Sequence, residues 1–466
     1  MRPTIASLFA VLILLSGCIP DLAADEWVPP PGPAVAGEIA PREPCEHRDS
    51  LRQPLFGDLH IHSGFSMDAR ALGTTTTPDD AYRFATGQEI PIYSGEPGVP
   101  QTAQLERALD FAAVTDHAEW MAEVHLCENP ASEVYASDRC KIFRGEERSW
   151  LAKLLGLDYG FMPKLLGIIG TDGKRPDDLC GKDGTRCRKA LRTVWDETKA
   201  SAERFYDRSS ACRFTTFHAW EYSRSPNRTK IHRNVILRNG LSPELPISSY
   251  ETGHEQGLWP KLRDLCNETG TGCEAISIPH NPNLSNGRMF ELWYRELDIE
   301  AQRAEAALRA ATEPIVEMMQ IKGESECRNG MFQVLGEPDE LCDHEKIRDM
   351  PGPGPEDCEE GAGWGAQAAE GCTSRVDYVR YALVEGLREN GRIGVNPFKF
   401  GFIGSTDNHM ATPGQVSEWD QPFKFGATEE RVLTIGEAKR PQLGWNPGGL
   451  AGVWAEDTSR DSIFDA

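Results

Sequence analysis

The chain has 466 residues, of which 39% are hydrophobic, enough to bury a sizeable core, and it carries a formal charge of −23. That charge excludes nucleic acid or an anionic membrane surface as the main partner, because both would be repelled. A small anionic substrate stays open, since it responds to the local field of its site.

The first residues, MRPTIASLFAVLILLSGC, place one basic residue before an apolar run too short to span a bilayer. Residues 1–18 therefore read as an export signal. Leu15-Ser16-Gly17-Cys18 is similar to a bacterial lipobox, which would make Cys18 a lipid anchor; plain cleavage after Ala24 is the alternative. The expected location is the periplasm or the outer membrane of a bacterium, as a lipoprotein. Residues 19–50 are proline-rich and read as a tether or arm. With Cys18 set aside, an even number of cysteines remains for pairing in an oxidising compartment. Local spacing suggests Cys127–Cys140, Cys180–Cys187, Cys266–Cys273 and Cys358–Cys372. No doubled C-x-x-C pattern points instead to structural zinc.

From residue 51 a single domain extends to residue 466. Short β-branched or aromatic runs recur along it: FGDLHIH, FAAVTDH, FTTFHAWEYS, HRNVILRN, AISIPHN, IVEMMQIKGESE and FGFIGSTDNH. Helical patterns lie at 78–87, 102–110, 188–207, 296–311 and 375–391, the last closing on a glycine. This alternation implies a largely parallel sheet, with polar strand ends forming the ligand face of a barrel or doubly wound fold. Segments near 121–190 and 327–374 read as insertions over one face.

All but one of these runs carry His, Asp or Glu at or near a clear polar end. His60 and His62 alternate, so on a strand they share a face. Alone, such a pair is as readily explained by packing. Together with Asp116 and His117, Glu221, His280, Glu317, Asp407 and His409, it implies a partner for many ionisable groups on one rim, and divalent ions supply one. Ligands of His and carboxylate without thiolate suit Zn, Mn or Fe.

FGDLHIHSGFSMDA, AAVTDHAEW, AWEYS, IPHN and GSTDNH, in that order, resemble the motifs of the PHP (polymerase and histidinol phosphatase) superfamily. The similarity is nearest to its bacterial branch defined only as a domain of unknown function. The resemblance implies a distorted (β/α)7 TIM-like barrel, here with long disulfide-stapled insertions, holding two or three divalent ions. It implies one ion on His60, His62, Glu221 and Asp407. Glu221 would bridge to a second on His280, with Glu317 where the family often has histidine. A third would take His117, His409 and Asp68, where the family again often has histidine. Asp68 reads equally as a cap of the next element or as a group that binds backbone near the turn.

Asp116 is expected to orient a ligand histidine through its ring N–H, and Asp58 to do so for His60. His232 and Arg233 could face the cleft, Arg233 gripping phosphate in a bidentate manner, or Arg233 could form a sheet-edge salt bridge. The function these residues support is a metal-dependent hydrolase, foremost a phosphoesterase acting on a small, phosphorylated anion. An amidohydrolase-like attack on an amide or lactone is the enzymatic alternative. A non-catalytic lipoprotein that binds metal or phosphate is the alternative of another class.

Overall fold

The computed structural model describes residues 35–93, 100–149, 164–169, 174–329, 363–368, 370–416 and 448–466, with single positions between 339 and 358. The expected export signal, Cys18 and the first part of the expected arm lie outside the described residues.

Every run read as a strand contains one. Strand β1 (Gln53–Asp58) pairs in parallel with β2 (Phe111–Ala112), and β2 in parallel with β3 (Thr215–Thr216). Strands β4 (His218–Tyr222), β5 (Arg233–Leu237) and β6 (Ala275–Pro279) form a second sheet in which both pairings are antiparallel. In a third sheet β7 (Ile315–Gln320) pairs antiparallel with β8 (Gly323–Glu324) and parallel with β9 (Gly401–Gly404). Strand β10 (Ala451–Ala455), which no local run marks, returns antiparallel along β1.

The expected (β/α)7 barrel is not what these strands form. Among the described residues they make separate sheets of two to four strands, accompanied by eleven α-helices, and no sheet closes. The antiparallel course of β5 shows why. Only residues 223–232 separate it from β4, fewer than the dozen or so that a parallel crossover needs. The molecule is a mixed α/β fold.

Four helices fall where periodicity places them. Helix α1 (Met67–Ala71) is short and follows the first motif. Helix α2 (Pro78–Ala85) starts at a Thr77–Asp80 capping box with proline in its first turn. Helices α3 (Met121–Glu128), α4 (Asp138–Phe143) and α5 (Asp177–Cys180) lie in the segment expected to be the first insertion, and α6 (Thr185–Phe205) packs against α3 and α5. Helix α6 buries Ala190, Leu191, Val194, Trp195, Thr198, Ser201 and Ala202, a stripe at three- and four-residue spacing. Helices α7 (Ile299–Thr312) and α8 (Val379–Ile393) follow, and α8 runs through Gly391 to a left-handed cap at Gly394, φ 79°. Residues 102–110 are not helical. Pro100–Ala103 is taken up by antiparallel pairing with Ile90–Tyr93, a tertiary contact that overrides local periodicity.

All four suggested disulfides form. Cys127–Cys140 joins α3 to α4 and Cys180–Cys187 joins α5 to α6, so the described part of this segment is stapled around Met121, Leu126, Phe143, Leu179 and Val194. Cys327–Cys342 and Cys45–Cys212 complete six pairs; the latter spans 167 residues, which local spacing cannot reveal. Six disulfides are typical of an extracellular or exported protein.

Candidate metal centre

The strands deliver their ends to one place. Isolated parallel bridges join Ile61 to Asn408, His117 to Glu221 and His280 to Glu317, so residues just beyond β1, β2, β6 and β9 lie beside the ends of their neighbours. His60 and His62 flank the first bridge on one face. Asp407 (φ 54°) and Asn281 (φ 51°) turn the chain in the left-handed region as it leaves the strands. Asp and Asn tolerate that conformation because their short side chains bond locally.

His60 Nε2 and His62 Nε2 are 3.2 Å apart. Glu221 Oε2 lies 3.3 and 3.1 Å from them, and Asp407 Oδ1 lies 3.3 and 3.2 Å from them. These five separations are edges of a compact four-atom figure. A tetrahedral centre bound at about 2.0–2.1 Å has ligand–ligand edges of ~3.3 Å. Four lone pairs aimed at one point repel unless a cation lies between them, so the donor set fits a divalent ion.

Glu221 has a second face. Its Oε1 lies 2.6 Å from His232 Nδ1 and 3.3 Å from both His117 Nδ1 and His280 Nε2. One carboxylate thus presents each oxygen to a different group of imidazoles, the arrangement a bridging ligand requires. Both ring nitrogens of His280 are buried without a hydrogen-bond partner, which suits a ligand better than a core histidine. Asp68 Oδ2 lies 3.0 Å from His117 Nε2 and 2.9 Å from His409 Nε2, so it joins a third group, while its Oδ1 accepts the Ala69 backbone N–H at 2.8 Å. His62 completes that group.

Glu317 touches His60 on the other ring nitrogen, its oxygens 3.1 and 3.0 Å from Nδ1. It therefore holds the ring whose Nε2 faces the first group, as carboxylates behind metal-binding histidines do. Ser66 Oγ does the same for His62 Nδ1 at 2.9 Å, and the Asp407 carbonyl for His409 Nδ1 at 2.8 Å. Ser223 bonds His117 Nδ1 and donates to Glu221 Oε1. Ser66 stands one turn past His62 and Ser223 two positions past Glu221, a spacing cue that a search for ligands alone passes over.

Neither aspartate expected behind a histidine ring is there. Asp116 accepts the Ser63 N–H and hydroxyl, both at 2.6 Å, and so shapes the turn after His62. Asp58 accepts from the His60 N–H at 3.2 Å, the Thr406 N–H at 3.1 Å, the Thr406 hydroxyl at 2.6 Å and the Gly414 N–H at 2.9 Å. It ties the first motif to the last through backbone. Glu119 was not foreseen: it receives the Ser223 and Ser249 N–H groups at 3.0 and 2.6 Å, fixing the chain that carries Ser223.

His232 faces the centre, but Arg233 does not. Adjacent strand positions point to opposite faces, and the antiparallel course of β5 brings its first end, not its last, to the rim. Arg233 is fully buried, with Nε 2.5 Å from Glu313 Oε1. Glu313 also receives Trp259 Nε1 at 3.0 Å and Arg309 Nε at 3.1 Å. Arg233 is a buried structural cation rather than a phosphate ligand or an edge salt bridge.

Charge follows this geometry. Burial opposes ionisation of Asp68 and Glu221, yet the surrounding histidines outweigh it and hold both well below the usual carboxylate range. Burial likewise opposes protonation of His117, but Asp68 and Glu221 push it up to about 10. Burial, aided by His117, takes His62 down to about 4; burial, aided by His60, takes His280 down to about 4. Burial raises Asp58 to about 6 and Glu119 to about 7.

Residues 49–466 match the family described as protein of unknown function (DUF3604), and the chain belongs to that family. No curated protein and no solved structure matches it.

Proposed function

From the donor geometry, we propose that this DUF3604 chain is an exported metal-dependent hydrolase acting on phosphoesters, and that it is a relative of the PHP superfamily. The observation that carries this reading is the set of five 3.1–3.3 Å separations among His60, His62, Glu221 and Asp407. The ordered motifs around those residues support the kinship.

His60, His62, Asp407 and Glu221 Oε2 would hold one ion. Glu221 Oε1 with His280 would hold a second, and His232 is within reach of the same oxygen. Asp68, His117 and His409 would hold a third. Imidazole and carboxylate ligands suit Zn, Mn or Fe. Bound there, such ions supply Lewis acidity toward a phosphoryl oxygen and acidify water. The protein's own part is to fix the ligands. Glu317 and Ser66 lock the His60 and His62 rings, and Asp58 and Asp116 lock the turns that carry them. Burial of the ligands, all but Asp68 nearly solvent-free, keeps the electrostatics strong.

The test is a screen of phosphomonoesters, phosphodiesters, lactones and amides with the metal-loaded full chain. Phosphoester cleavage that disappears on chelation and in His60→Ala is the expected result. Cleavage of lactones or amides only would reassign the bond. Activity that survives both treatments refutes the reading, and metal uptake with no turnover of any class leaves a binding protein.

A further inference from the structure

Strand β7 carries an irregularity that decides which of its side chains reach the cluster. Against β9 it pairs Ile315 with Gly401, Val316 with Phe402 and Glu317 with Ile403, and then Met319, not Met318, with Gly404. The extra residue is a β-bulge, which re-aims the side chains beyond it. In a regular strand Glu317 and Gln320, three positions apart, would point to opposite faces. With the bulge between them both turn to the metal cluster, Glu317 to His60 Nδ1 and Gln320 to Asp407. Each is buried.

Three hydrogen bonds fix the Gln320 amide. Its Oε1 accepts the Lys322 backbone N–H at 2.7 Å, so the NH2 end is the one that faces the cluster. From there Nε2 donates to Asp407 Oδ2 at 2.7 Å and to Asn281 Oδ1 at 2.6 Å, one acceptor for each amide hydrogen. The amide thereby ties the left-handed turn that carries Asp407 to the one that follows His280. Asp407 Oδ1 is the oxygen that faces His60 and His62, and Oδ2, which Gln320 holds, also pairs with the Lys322 ammonium. An ammonium is a point charge on a flexible stem. The planar amide, anchored on backbone at its other end, sets the direction of the carboxylate.

We propose that Gln320 is a positioning residue of the metal centre, holding Asp407 so that Oδ1 alone reaches the ion shared with His60, His62 and Glu221. The proposal rests on the metal-dependent reading above. A role in packing alone makes Gln320→Glu, which keeps the shape and the acceptor for the Lys322 N–H, the mild change and Gln320→Leu the severe one. Positioning reverses that order. Gln320→Leu removes the donor, whereas Gln320→Glu sets a carboxylate oxygen against Asp407 Oδ2 and Asn281 Oδ1.

Chelator competition on the zinc-loaded full chain at neutral pH, with elemental analysis of the same samples, tests it. Gln320→Leu is expected to hold one ion about 10–100-fold more weakly, as loss of a group behind a metal ligand does, and Gln320→Glu to hold it more weakly still. The weakened ion should be the one lost in Asp407→Ala. In an Asp407→Ala chain the same two substitutions should therefore change nothing further, since their effect passes through that carboxylate. Should Gln320→Leu fail to fold, the shape-preserving Gln320→Glu carries the same comparison. Wild-type affinity for every ion in Gln320→Glu, a larger loss in Gln320→Leu than in Gln320→Glu, or losses that persist in the Asp407→Ala chain overturn the positioning role and leave the metal-dependent reading standing. A wild-type chain that takes up no divalent ion overturns both.

Discussion

Replacing Arg233 by Met separates a structural arginine from a substrate-binding one. Arg233 is fully buried beside Glu313, with its guanidinium 5.8 Å from the Trp259 ring centroid. The substitution preserves most of the side-chain volume and removes one of two cations from the Glu313 carboxylate. Breaking a buried pair from one side costs about 3–5 kcal/mol, because the remaining charge stays out of water. Glu313 keeps Arg309 at 3.1 Å and Trp259 at 3.0 Å, which puts this case near 3 kcal/mol, the lower end of that range. With an unfolding entropy of ~2.1 cal/mol/K per residue over roughly 400 residues, each kcal/mol moves the melting temperature by about 1 °C, so a fall of roughly 3 °C is expected. Calorimetric melting and phosphate titration of metal-loaded Arg233→Met read the two roles separately. The account expects the lower melting temperature with metal content and phosphate affinity unchanged. A variant that melts like wild type but binds phosphate tenfold more weakly would put Arg233 on the substrate and refute the burial reasoning.

Glu221→Gln should lose more than one ion by elemental analysis, since both oxygens of that carboxylate face histidines, whereas Asp68→Ala should lose only the ion shared with His117 and His409. In the chelated chain, His62 and His280 titrate at about 4 when folded, below the unfolded value of ~6.5. Unfolded protein takes up protons that the folded protein refuses. Stability is therefore full above that value and falls as pH drops toward 4, read as a declining melting temperature. His117 has the opposite sign: at about 10 when folded, it adds stability that is complete below ~6.5 and lost as pH rises through 10. His117→Gln in the chelated chain should therefore flatten the alkaline side of the melting curve and leave the acid side in place.

The strands and most of the cluster were legible because each carries its cue within a few residues. A β-branched run ending in His, Asp or Glu identifies a strand and its chemical end together, and alternation put His60 and His62 on one face. Sheet order was not legible. The direction of β5 depends on the short link after β4, and the polar-end rule assumed parallel strands; that assumption left His232 ranked with Arg233 although they point to opposite faces. The roles of Asp58 and Asp116 escaped for a related reason. Each binds backbone brought close by the fold, Asp58 to Thr406 and Gly414, Asp116 to Ser63, and no periodicity encodes such a meeting.

Anomalous scattering from crystals of natively purified protein, recorded at the Zn, Fe and Mn edges, tests the central claim most directly. The account predicts peaks within ligand distance of His60 Nε2, His62 Nε2, Glu221 and Asp407 Oδ1, with a further ion bridged through Glu221. A native crystal with ordered side chains and no anomalous peak among these residues would contradict it.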